Sequence, residues 1–465
     1  MTRRLLAAAA TLALAACAAG PDYVAPLSDA PAQVPFTSAG ASDFVPEEPP
    51  TEWWTLYDSP VLDGLIREAL AANRDLLVAA ANLDEVRARL RETRSARLPS
   101  TTVGGSAVYA RTPPNEPGAT AQEGEAYDVG LDIGYVLDLS GRIRRGIEAA
   151  RADVGAAQAA YDLARIGIVA ETARAYAEAC SAGRRLTVAR ESLRVQEETF
   201  DLTRRTVLGG RGTAMDTSRA AALLEQTRAD IPAFEADRKD ALFRLSVLLG
   251  RPPAAFPPEI GACSEPPVLA RPIPVGDGAS LLARRPDVRA AERRLAAATA
   301  RIGVATAELY PSITLGGSIG ATAGSTSDLF TDRGFRFSLG PLISWQFPNI
   351  EAARARIGQA EAASRGALAD FEGTWLRALQ ETESALTRYA AERERLATLV
   401  RGRDQSAEAA RIARIRYRAG AESFQIVLDA ERELASAEAL VAATEAQMAD
   451  RTIALFLALG GGWQP

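Results

Sequence analysis

Tyr127, Val129, Leu131, Ile133 and Tyr135 alternate with Asp128, Gly130, Asp132 and Gly134, a strict period of two that gives a strand one apolar and one polar face. Phe335, Phe337, Leu339 and Ile343 alternate in the same way with Arg336, Ser338, Gly340 and Ser344. Each run has an extended neighbour, so strands are expected at Thr101 to Arg111, Glu125 to Leu137, Ser312 to Thr322 and Gly334 to Phe347. Segments of about ten to thirteen residues match a tilted strand crossing a bilayer, which takes about 9 to 11. On pattern alone a soluble sandwich is the alternative. Two hairpins give four strands, and four cannot close, yet in lipid every strand edge must be paired. A closed barrel begins at about eight strands, so closure demands several chains; three would supply twelve, wide enough for a lumen.

The chain also repeats itself. Leu98-Pro99-Ser100 and Tyr310-Pro311-Ser312 each end a helical pattern, a separation of 311 − 99 = 212, and Arg74-Asp75-Leu76 matches Pro286-Asp287-Val288 at the same offset. Downstream, Gly210 matches Gly420 and Leu249-Gly250 matches Leu459-Gly460 at an offset of 210. The seam Leu224, Thr227, Ile231, Phe234, Arg238, Ala241, Leu245 and Leu248 steps by three and four, and adding 210 gives the mostly apolar seam Leu434 to Ala458. Helices are therefore expected over Pro60 to Arg97, Ile143 to Val207 and Thr213 to Leu249 in one half. The other half should carry Ala279 to Leu309, Glu351 to Arg418 and Ser423 to Leu459. At about 1.5 Å per residue the helix from Ile143 is roughly 100 Å long, and the two shorter helices of its half, at roughly 57 and 55 Å, match it end to end. Several apolar stripes interspersed with Arg and Glu read as a stave in a cylinder wall, or as a solvated coiled-coil rod.

Composition removes whole classes of chemistry. The 465 residues include no histidine, so no imidazole base, histidine metal ligand or histidine proton switch is available, and no catalytic site is expected. Gly316-Gly317-Ser318-Ile319-Gly320 has the spacing of a nucleophile elbow, but without histidine it forms no triad and lies in an expected strand. A formal charge of −6 argues against nucleic acid as the main partner.

The basic segment Thr2-Arg3-Arg4 and the apolar run Leu5 to Ala16 read as an export signal, too short to span a bilayer. The run closes on Leu14-Ala15-Ala16-Cys17, which resembles the lipobox of bacterial lipoproteins; that resemblance implies a diacylglycerol and an acyl chain such as palmitate on Cys17. No other cofactor and no metal is expected. Cys180 sits in a helical pattern and Cys263 in a distant loop, so whether they pair is left open.

Lipobox, then Ala19-Gly20-Pro21-Asp22-Tyr23 and Pro26, then Trp53-Trp54, together resemble the lipoprotein branch of TolC-like outer membrane factors, the OprM and NodT groups. Further matches are Asp138-Leu139-Ser140-Gly141-Arg142, and Arg416-Tyr417-Arg418-Ala419-Gly420 leading to Val427-Leu428-Asp429-Ala430. The resemblance covers the mature chain and implies an α+β membrane protein: a homotrimer with a 12-stranded β-barrel, four strands per chain, continuous with a long α-helical barrel, and two structural repeats per chain. It implies an outer membrane channel of a tripartite efflux system, passively conducting substrates from an inner-membrane pump and a periplasmic adaptor, with its helices in the periplasm.

The expected organisation is a signal peptide at 1–16, a lipidated N-terminal segment and equatorial wrap at 17–59 and a first repeat at 60–250. A Pro-rich equatorial linker at 251–278 and a second repeat at 279–465 complete it. A periplasmic gate is implied where the helices converge. By motif Asp429 and Arg432 map there, with Gln425 one turn earlier, and Asp216 and Arg219 occupy the corresponding turn of the first repeat. Symmetry-related Asp429 carboxylates would repel each other and attract cations; an Asp429–Arg432 pair on a solvated face is the plainer alternative. Asp138 and Arg142 are expected to end a strand and start a helix. The competing function is a lipid-anchored periplasmic coiled-coil scaffold with a small soluble sheet.

Overall fold

The computed structural model describes residues 18–26, 36–40, 44–112, 122–269, 271–348 and 350–461; the signal segment and Cys17 lie outside these described residues. In chain order the elements are β1 (Phe44–Val45), α1 (Pro60–Ala72), α2 (Arg74–Ser95), β2 (Ser100–Thr112), β3 (Gln122–Leu137), α3 (Arg142–Leu208) and α4 (Ala214–Leu248). They continue with β4 (Ile273–Pro274), α5 (Gly278–Arg284), α6 (Pro286–Thr306), β5 (Ser312–Ala323), β6 (Phe335–Ser344), α7 (Glu351–Arg418) and α8 (Phe424–Ala458). Helices α3 and α7 run for 67 and 68 residues, and α4 and α8 for 35 each. Among the described residues no helix is long and apolar enough to cross a membrane.

Two expected helices are each broken once. Pro60 to Arg97 divides at Asn73, whose backbone is extended (ψ 131°) and whose Oδ1 accepts from Leu76 N at 3.0 Å, capping α2. Ala279 to Leu309 divides at Arg285, also extended (ψ 120°), because the ring of Pro286 disfavours helical backbone in the residue before it. The last expected strand ends at Ser344 rather than Phe347; beyond it Trp345 donates from Nε1 to Leu309 O at 3.2 Å and stacks on Phe347.

The chain forms two compact units. The first comprises Met1–Pro26, Asn82–Gln158 and Ala290–Glu372, and it holds the four-stranded sheet of order β2-β3-β5-β6, antiparallel throughout. The start of α3 is fixed by Asp138, whose Oδ1 and Oδ2 accept from the backbone of Ile143 and Arg144 at 2.9 Å each.

The second unit, Leu27–Ala81, Ala159–Arg289 and Gly373–Pro465, holds the main hydrophobic core. Trp53 lies buried in it, stacked on Phe456 with ring centroids 4.8 Å apart. Small residues on α3, Ala170, Ala173, Ala177 and Cys180, are buried and let neighbouring backbone approach closely. A disulfide joins Cys180 to Cys263, resolving the pairing that the sequence leaves open, since the stretch after Gly250 returns to α3. Nearby, β1 and β4 pair in parallel, and Glu383 accepts from the backbone of Thr37 and Ser38 at 2.7 and 3.0 Å.

Candidate functional site

The sheet separates its two faces row by row. Val103, Leu131, Ile319 and Phe337 stand side by side across all four strands, and Thr101, Ile133, Gly317 and Leu339 form the next row of that face. Phe335, Phe337, Leu339 and Ile343 are exposed, at 57 to 86% of their surface, so this chain alone covers none of that apolar face well. The opposite face carries the row Thr102, Asp132, Ser318 and Ser338, flanked by Gly104, Gly130, Gly320 and Arg336. Arg336 crosses β5 to reach Asp128, with Nη2 to Oδ1 and Oδ2 at 2.9 and 2.8 Å, and Thr322 donates to the same carboxylate at 2.6 Å. Glycine makes that reach possible: a Cβ on Gly130 would lie 3.0 Å from Arg336 Nη2. Among the described residues β2 and β6 each have one unpaired edge.

In the other unit, two turns build the constellation expected to gate. The α3–α4 turn closes through Gly210 (φ 75°) and the α7–α8 turn through Gly420 (φ 71°), left-handed backbone that glycine adopts without strain. Ala220, Leu223, Phe424 and Leu428 then form a small buried cluster, with Phe200 and Tyr417 against it, that packs the first turns of α4 and α8 together. This packing sets Arg219 Nη1 to donate to Gln425 Oε1, and Gln425 Nε2 donates to both carboxylate oxygens of Asp429 at 3.0 Å. Three of the five residues singled out from sequence thus form one chain linking α4 to α8. Asp216 is engaged elsewhere: it forms a capping box with Thr213, Oδ2 accepting from Thr213 N at 2.9 Å. Arg432 is exposed and is not in the chain; Asp429 meets Gln425 instead.

Sequence reasoning missed Glu431. It is 2% exposed and lies 3.2 Å from Arg414 of α7. Burial pushes its carboxyl pKa up, Arg414 pulls it down less strongly, and Glu438 adds to the rise. The signal was present: one step of three before Leu434 on the apolar seam falls on Glu431, where the first half has Ala221.

The strap after the expected lipidation site is gripped by Arg145, 4% exposed on α3. Its Nε donates to Ala19 O at 3.1 Å, its Nη2 meets Asp22 Oδ1 at 2.6 Å, and its Nη1 meets Glu148 at 2.8 Å. Asp22 belongs to the run Ala19 to Tyr23 on which the family resemblance rests.

Comparison with known proteins agrees with this architecture. The outer membrane efflux protein family matches residues 65–251 and 279–461. Outer membrane protein OprJ of Pseudomonas aeruginosa is 32% identical over 458 residues, covering 97% of this chain and 94% of that protein. Nodulation protein T of Rhizobium leguminosarum bv. trifolii is 29% identical, covering 98% of this chain and 96% of its own. Among solved structures, the outer-membrane channel OprN superposes with a TM-score of 0.90 at 38% identity, covering 97% of this chain and all of that one. The chain belongs to the outer membrane efflux protein family.

Proposed function

We propose that this protein is the outer membrane channel of a tripartite efflux system and that three copies pool their sheets into one 12-stranded barrel. The observation that carries this reading is a four-stranded sheet with two open edges among the described residues and one face that is mainly apolar. Lipid leaves no strand edge unsatisfied, so β2 of one copy pairs with β6 of the next, and the polar face encloses a water-filled lumen. The two halves act as structural repeats, supplying one hairpin and one long helix each. The segment 17–59 and the Pro-rich stretch 251–278 wrap the outside as a belt, while the lipid on Cys17 tethers the strap that Arg145 holds.

Conduction is passive, and the helix turns at Gly210 and Gly420 form the periplasmic end, where an adaptor from an inner-membrane pump docks. Arg219, Gln425 and Asp429 hold that end closed by tying α4 to α8, while Asp216 supports the turn and Arg432 contributes charge beside it. The test is reconstitution in planar bilayers. Discrete currents that rise in Asp429→Ala support the gate; currents that are unchanged in that variant refute the gate assignment, and absence of any current refutes the channel.

A further inference from the structure

The polar face of the sheet carries an unbalanced charge. Among the described side chains of its four strands, the charged groups on that face are Asp128, Asp132 and Arg336. Asp128 and Arg336 neutralise each other in a two-pronged contact, with Thr322 completing the carboxylate. Asp132 has no such partner: its row neighbours are Thr102 and Ser318, and Ser318 bonds Ser338 at 2.7 Å instead. It is exposed, and Arg336, level with Gly130 between the two aspartates, is turned toward Asp128, four residues from Asp132 along β3.

We infer that Asp132 gives the β-barrel section of the pore a cation preference of its own, separate from any charge at the helix turns. The inference rests on the reading that three copies close the sheet with its polar face inward. Each chain then adds one uncompensated negative charge at a single level of the lumen, and the Asp128–Arg336 pairs add none. Three carboxylates roughly 10 Å from an axis attract cations and repel anions across the lumen as long as the Debye length is comparable, about 10 Å at 0.1 M and about 3 Å at 1 M.

The experiment is the reversal potential of the purified protein in planar bilayers under a potassium chloride gradient, in an Asp429→Asn background so that the helix turns contribute less charge. At 0.1 M the cation-over-anion permeability ratio should fall about fourfold on Asp132→Asn. Asp128→Asn, which uncovers Arg336, should lower it in the same way, and Arg336→Gln, which uncovers Asp128, should raise it. All variants should converge at 1 M. That ordering separates a charge effect from a local packing effect. Persisting currents whose reversal potential is indifferent to Asp132→Asn overturn the inference while leaving the channel intact. Absence of currents from the Asp429→Asn parent protein overturns the lumen on which the inference rests, and the inference with it.

Discussion

Asn73 donates from Nδ2 to the carbonyl of Leu248 at 3.0 Å, so the break between α1 and α2 is fastened to the last residue of α4. The other half repeats the relationship with different chemistry: Arg285, at the break between α5 and α6, donates from Nη1 to the carbonyl of Ala458, the last residue of α8, at 3.2 Å. Helix ends leave carbonyls without partners, and each break satisfies one. Asn73→Ala removes this donor and the cap of α2 together. The expected loss is about 1–3 kcal/mol, seen as a lower melting temperature of the detergent-solubilised protein. An unchanged melt would contradict the role assigned to the break.

Gln425 is the middle of a three-residue chain, so Gln425→Ala should disconnect Arg219 from Asp429 without removing either charge. Cells carrying this variant are expected to become more sensitive to a large antibiotic normally excluded by the outer membrane, as with Asp429→Ala. Arg432→Ala, outside the chain, should have a smaller effect. Equal sensitivity of Gln425→Ala and unsubstituted cells would remove the chain from the gate.

Buried Glu431 and half-buried Asp287 should titrate stability in opposite directions. The Glu431 carboxyl is raised by burial, so its charged form opposes folding once pH exceeds its folded pKa, and protonation at lower pH relieves this. Glu431→Gln should therefore raise the melting temperature at neutral pH and lose that advantage as pH falls. Burial also raises Asp287, but the hydrogen bonds and charge of Arg285, at 2.6 and 3.0 Å, outweigh it and hold the carboxyl below its usual value. That stabilisation is present above the ordinary carboxylate pKa of about 3.9 and disappears in acid. Asp287→Asn should be destabilising at neutral pH, with the deficit shrinking toward pH 3. Melting curves from pH 3 to 8 check both signs.

The disulfide between Cys180 and Cys263 closes a loop across 83 residues and ties the Pro-rich stretch to α3. Cys180→Ser with Cys263→Ser should cost about 2–4 kcal/mol. Protease cleavage between residues 251 and 278 should accelerate in the double variant, and an unchanged cleavage rate would mean that packing alone holds this stretch.

Local patterns made much of this architecture legible. The pleat places Val129 and Asp128 on opposite faces by geometry alone, and Glu351 to Arg418 has both ends marked, by Pro348 before it and Gly420 after it. Asn73 was only half legible as a break: its side chain caps α2 locally, but the carbonyl that fastens it lies 175 residues away. Arg285 was more readable, since Pro286 follows it. Glu431 escaped notice because an acid beside Asp429 and Arg432 reads as one more solvated charge, whereas in the fold it is buried within 3.2 Å of Arg414 on α7. Arg219 and Gln425 were singled out from corresponding turns, but their contact depends on the cluster around Phe424 and Leu428, which joins residues about two hundred positions apart.

Single-particle electron microscopy of the purified protein in lipid nanodiscs tests the closure of the sheet most directly. Particles with threefold symmetry and twelve strands, β2 of each copy hydrogen-bonded to β6 of its neighbour, are the predicted result. A single chain whose β2 and β6 edges pair with each other, or whose sheet stays outside the lipid, would contradict it.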